Sequence, residues 1–178
     1  MELSASFSLA RLAKVSFVAL LCLIAVSIEA APLGLSANAY PSPDIVFCVV
    51  AYWSTRRAET VPLLAVFALG LARDLVTDAP VGAGALTLAL ASEFLKSARS
   101  RLARRSFGFE WLLIAAVFAL VLLAQWLAVL MTLAHPPYLV ELVRQWFLTM
   151  MVYPPLALIF RWLFGIGWRK LEAAPRHG

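Results

Sequence analysis

Six apolar runs, with most of the charged residues in the stretches outside them, limit what this chain can fold into. They fall at about 15–35, 43–54, 61–73, 80–95, 111–133 and 142–164. The first, fifth and sixth reach the roughly 20 residues a spanning helix needs, and the fourth, near 16, is marginal. The second and third hold about 12 or 13 residues each, roughly 18–20 Å at the helical rise. That length also suits a re-entrant hairpin, so run length alone does not fix the number of crossings. Composition decides the solvent. At 63% hydrophobic and 14% charged, the 178 residues exceed what a soluble domain can bury, and lipid must cover part of the surface.

The basic residues choose between the two readings. With six crossings and a cytoplasmic N-terminus, Arg11, Lys14, Arg56, Arg57, Lys96, Arg99, Arg101, Arg104, Arg105, Arg161, Arg169, Lys170 and Arg176 all lie inside. Only Arg73 and Arg144 then face outward, as the positive-inside rule requires. A hairpin entering from outside would leave Arg56 and Arg57 within the bilayer, at about 2.5–3.5 kcal/mol each on insertion scales. The reading is an all-α integral membrane protein of six transmembrane helices, two of them short. Residues 1–178 form one polytopic domain, both termini are cytoplasmic, and the two short spans are either little tilted or shielded from lipid by their neighbours. The first run resembles a secretory signal, but Ile28-Glu29-Ala30 is a poor cleavage site, so an uncleaved first helix is expected. The net charge of +5 is spent on topology, and nucleic acid is not an expected partner.

Chemistry has little to work with. His135 and His177 are the two histidines, and neither has a carboxylate at metal-ligand spacing, so neither a metal nor a cofactor is expected. Nucleophile elbows, phosphate loops and dinucleotide fingerprints do not occur. Cys22 and Cys48 sit inside apolar runs and read as small core residues. Trp53, Trp111, Trp162 and Trp168 fall near inner span ends and Trp146 near an outer one, as interfacial anchors, whereas Trp126 beside Gln125 should face another helix or a cavity. Pro154-Pro155 should bend the last helix and free carbonyls for a neighbour to satisfy. Gly82, Ala83, Gly84, Ala85, Ala89 and Ser92 form a small-residue face for close helix approach.

The polar residues that remain gather at the outer interface: Asp44, Arg73, Asp74, Asp78, Glu141 and Arg144. Glu141 and Arg144 can pair at i,i+3, while adjacent Arg73 and Asp74 point apart on a helix and each needs a partner elsewhere. Two readings stay open: a rim that locks the short helices together, or a contact for a ligand or partner. The inner loop at about 96–110, with Lys96, Arg99, Arg101, Arg104 and Arg105, is a topology determinant or a contact for anionic lipid or cytoskeleton.

The segment from 41 to 92 carries a resemblance. Pro43-Asp44 opens a short apolar run that Tyr52-Trp53 and Arg57 close. Gly70-Leu71, Arg73-Asp74-Leu75, Pro80-Val81-Gly82 and Ala85-Leu86 follow. This pattern resembles the rod shape-determining protein MreD family, and the six-span layout extends the likeness loosely to the whole chain. Gly70, Asp74, Pro80 and Gly82 occupy the family's signature positions. Arg73 stands where an apolar residue is common and Val81 where leucine is usual. Ala58 follows the closing arginine in place of a proline, which is delayed to Pro62.

The resemblance implies a non-enzymatic membrane subunit of the bacterial elongation machinery, without cofactors. It would sit in the inner membrane and act in cell shape and peptidoglycan synthesis. The implied direct partner is MreC, with MreB, RodA and a penicillin-binding transpeptidase reached indirectly. The implied fold is similar to the substrate-binding subunits of energy-coupling-factor transporters. That similarity supplies the alternative, a membrane subunit binding a vitamin-type small molecule in an outer pocket. Asp74 and its rim are expected to hold the partner's membrane-proximal segment.

Overall fold

A computed structural model describes residues 42–76, 80–102, 106–132 and 137–164. The first apolar run, Cys22, Asp78, Arg104, Arg105, both histidines and the basic tail from 165 onward lie outside the described residues. Among the described residues the chain is helical, without strands: α1 (Ile45–Arg56), α2 (Leu63–Val76), α3 (Ala83–Leu102), α4 (Phe107–Met131) and α5 (Leu139–Phe164). A short 3₁₀ turn, Ala58–Thr60, joins α1 to α2. Among the described residues, two helices are long and apolar enough to cross a membrane, Phe107–Met131 and Leu139–Leu163.

The 12-residue α1 is the centre of the molecule, and every residue from Val46 to Thr55 is buried. A helix apolar on all sides must be enclosed on all sides, and α1 packs against α3 and α5. Its Phe47 ring also meets Phe118 of α4 at 4.5 Å. Trp53 is therefore no interfacial anchor. It is 3% exposed and packs edge-on against Phe160 of α5 at 4.7 Å, because α5 continues past the end of α1 and covers it.

The small-residue face behaves as its composition predicts. Gly84, Ala85, Ala89 and Ser92 of α3 are buried, and a Cβ on Gly70 of α2 would stand 2.5 Å from the Ala85 Cα. The backbones of α2 and α3 touch at that point, and only glycine fits there. α3 itself runs further than its apolar span of about 80–95. Residues 96–102 are helical and not part of a loop, because buried Ala98 and Leu102 extend the inward face and Lys96 pairs with Glu93 at 2.6 Å.

Two tryptophans stitch α4 to α5 reciprocally. The Trp111 indole N–H donates to the Met150 carbonyl (3.1 Å), and that of Trp146 to the Ala115 carbonyl (2.9 Å). The first bond has a sequence cause. Met150 is four residues before Pro154, which has no N–H to offer it, so the indole takes the place of the lost helical donor. Both prolines lie inside α5, which runs through them as one helix. Trp126 donates to the Pro137 carbonyl (3.2 Å), and Gln125 Nε2 to Thr87 Oγ1 of α3 (3.3 Å), so both face neighbouring segments.

Candidate functional site

The five described rim residues take three kinds of position. Asp44 is 2% exposed and caps α1: its Oδ1 accepts the Phe47 N–H at 2.7 Å, one of the donors that a helix start leaves without a partner. Its Oδ2 pairs with Arg73 Nη1 of α2 at 2.8 Å. The Asp44 N–H donates to Thr149 Oγ1 at 2.9 Å. One carboxylate residue thus ties α1, α2 and α5 together. The two charges are adjacent and largely desolvated, which strengthens the attraction and makes either of them costly to strand.

Asp74 points the other way, as its position beside Arg73 on a helix dictates. Its Oδ2 accepts the backbone N–H groups of Gly82 (2.9 Å) and Ala85 (3.1 Å). Those donors open α3, so α2 supplies the N-terminal cap of the next helix. The reason is local. Gly82, the residue preceding α3, has φ +94° and no side chain with which to cap. It holds the third place of a turn closed by the Ala83 N–H on the Pro80 carbonyl (3.0 Å), where a type II turn needs a positive φ. Gly84 completes the cradle, because a Cβ there would collide with Asp74 Oδ1. Gly70, Asp74, Pro80 and Gly82 therefore have separate physical tasks: close approach at Gly70, capping at Asp74, turn formation at Pro80 and a positive φ at Gly82.

Glu141 and Arg144 are exposed on the first two turns of α5, and Asp78 lies outside the described residues. Of the basic set, Lys96, Arg99 and Arg101 fall on the last two turns of α3, and Arg104 and Arg105 lie outside the described residues.

A second polar node has no counterpart in the sequence reading. Arg56, at the last turn of α1, pairs with Glu110 of α4 at 2.7 Å; their side chains are 8% and 1% exposed. The Tyr153 hydroxyl of α5 donates to the other Glu110 oxygen at 3.3 Å, and the guanidinium lies 5.5 Å from the Tyr52 ring centre. Glu110 falls just before the apolar run that the sequence places at about 111–133, whereas α4 begins at Phe107. Ser106, an N-cap residue type directly before the aromatic run, is the signal that could have moved that boundary.

Among the described residues, no group of three His, Cys, Asp or Glu side chains could hold a metal ion. A cleft of about 270 Å³ between α4 and α5 is lined by Ala119, Leu122, Leu123, Leu142, Val143 and Trp146. It is apolar and lacks the convergent polar groups with which a small-molecule site fixes orientation.

These features define a class: a helical membrane protein whose ionised groups, where buried, serve as joints between helices. Residues 10–166 match the family model of the rod shape-determining protein MreD, and the chain belongs to that family. No curated protein and no solved structure matches it. Family and fold together make it a cell-shape protein of the membrane.

Proposed function

We propose that this chain is a non-enzymatic scaffold subunit of the bacterial cell-elongation complex. It would bind MreC in the inner membrane and, through it, meet the peptidoglycan-synthesis machinery. The observation that carries the reading is the use made of the ionised groups. Asp44, Arg73, Asp74, Arg56 and Glu110 are each engaged by another helix of the same chain, as suits a rigid frame more than a reacting centre. Glu141 and Arg144 are then the exposed members of the rim and the ones we assign to the partner, with Asp44, Arg73 and Asp74 as the joint beneath. Six crossings with both termini cytoplasmic fit the basic residues, since the described Arg56, Arg57, Lys96, Arg99, Arg101 and Arg161 share one end.

The test is affinity purification of the full chain from membranes in mild detergent, with identification of bound proteins and small molecules. Co-purified MreC that is reduced by Glu141→Gln/Arg144→Gln supports the reading. A tightly bound vitamin in place of any elongation subunit overturns it in favour of the transporter alternative.

A further inference from the structure

Two consecutive prolines in α5 leave one more backbone acceptor than the helix bundle serves. Pro154 and Pro155 lie inside α5, and each lacks the N–H that would bond four residues back. The carbonyls deprived are those of Met150 and Met151. Met150 is served by the Trp111 indole at 3.1 Å. Met151 is worse placed, because proline occupies both positions from which a helix regularly serves it: Pro155 for an α bond and Pro154 for a 3₁₀ bond. A local shift that lent it the Leu156 N–H would strand the Val152 carbonyl instead, so one acceptor stays over. Among the described residues no side chain donates to either carbonyl.

Water does not make up the difference. Met151 lies twelve residues from either end of the Leu139–Leu163 span, about 18 Å at the helical rise. The hydrocarbon half-thickness is about 15 Å, so this carbonyl stands near the bilayer midplane, where an unserved backbone group is strongly unfavourable. Its side of α5 is open: Met151 is 60% exposed and Leu158 63%, with Pro155 exposed between them.

Whatever covers this face must bring a donor. Acyl chains have none. A second copy of this chain has none at that depth on its described exposed faces. The exposed side chains of α2, those of α4 between Leu112 and Leu127, and Leu86 and Leu90 of α3 are leucine, phenylalanine and alanine. Those of α5 around Met151 are equally apolar. Reach matters as well, since Met151 and Pro155 flank the carbonyl and hold a second backbone off. Trp111 and Trp146 show the solution used within this chain, an indole N–H that reaches a carbonyl of the facing helix.

We propose that a membrane-spanning helix of a different protein docks on this face of α5 and donates an N–H from a long side chain, an indole or a carboxamide, to the carbonyl left over at Met151. The occupant is MreC, which rests on the partner inferred under the proposed function; the face is separate from the Glu141 and Arg144 rim. Pro155 is then a recognition residue, because it bares the acceptor, whereas the carbonyl bared by Pro154 is consumed internally.

The test compares full chains purified from membranes in mild detergent at matched abundance, with co-purified MreC quantified. Pro155→Ala returns the missing N–H to α5 and should lower MreC retention by roughly 3- to 20-fold, the range for one hydrogen bond between membrane helices, without lowering the thermal midpoint. Pro154→Ala supplies a donor to a carbonyl that Trp111 already serves and should leave retention unchanged. A photo-reactive side chain at Leu158 should cross-link to MreC. Undiminished retention by Pro155→Ala, or an equal loss from both proline variants, overturns the docking site while leaving MreC as the partner. Cross-links from Leu158 only to lipid or to a second copy of the chain do the same. A wild-type chain that captures no MreC overturns the partner reading and this site with it.

Discussion

Replacing Asp74 tests whether its carboxylate is a joint or a contact. Asp74→Ala removes a buried acceptor from the Gly82 and Ala85 N–H groups. Hydrogen bonds to a charged group contribute about 1.5–3 kcal/mol each, and loss of an ordinary N-cap costs about 1 kcal/mol. Allowing for partial relaxation of the α3 start, the loss should be about 3 kcal/mol. For a chain of this size that is a fall of roughly 6–12 °C in midpoint temperature, read by thermal unfolding in detergent. Gly84 sharpens the argument, because its missing Cβ makes room for the same carboxylate. Gly84→Ala should destabilise the wild type by about 1–3 kcal/mol through overpacking. Combined with Asp74→Ala it should become neutral or favourable by up to about 1 kcal/mol, since alanine is the better helix former once the space is empty. The double-mutant cycle thus requires a change of sign. An unchanged midpoint for Asp74→Ala with loss of MreC, or a Gly84→Ala penalty equal in both backgrounds, would refute the capping role.

Other substitutions probe the remaining joints. Glu110→Ala strands the buried Arg56 guanidinium and should cost about 3–5 kcal/mol, seen as loss of folded protein; Arg56→Met/Glu110→Met should recover most of it. Trp111→Phe should cost about 1 kcal/mol of thermal stability, because the Met150 carbonyl loses its donor. In a Pro154→Ala background the same change should cost little, since residue 154 then supplies the N–H. Gly70→Ala should force α2 from α3 at a cost of about 1–3 kcal/mol, measurable as a lowered midpoint and increased proteolysis between α2 and α3.

The sequence was most legible where composition and physical necessity coincide. The apolar runs place all five described helices within a few residues, apart from the extended end of α3 and the early start of α4. Adjacent Arg73 and Asp74 had to seek different partners, and they do. What could not be read was which partner. Asp44 lies 29 positions from Arg73 and 105 from Thr149, and neither spacing carries a periodic signal. The tryptophans failed for a different reason. Position near a span end predicts an interfacial ring, but Trp53 and Trp146 sit where another helix extends past that end. The indole of Trp146 then meets a carbonyl in place of a headgroup. Proline gave the opposite case, where the freed carbonyl was foreseeable and its donor, Trp111, was not.

The ion pairs at the two ends of α1 make sense as a pair. Buried ion pairs are often matched in stability by packed apolar side chains, so charge attraction alone is a weak reason to keep them. Their arrangement points to register. α1 is short, apolar on every side and enclosed, so apolar packing offers little to stop it sliding along its axis. Asp44 at its N-terminus meets Arg73, and Arg56 at its C-terminus meets Glu110. Both signs also suit the helix dipole. A slip of one turn, about 5.4 Å, would strand four charges at once. The buried acid at one end and the buried base at the other fix a helix that its hydrophobic surface alone could not place.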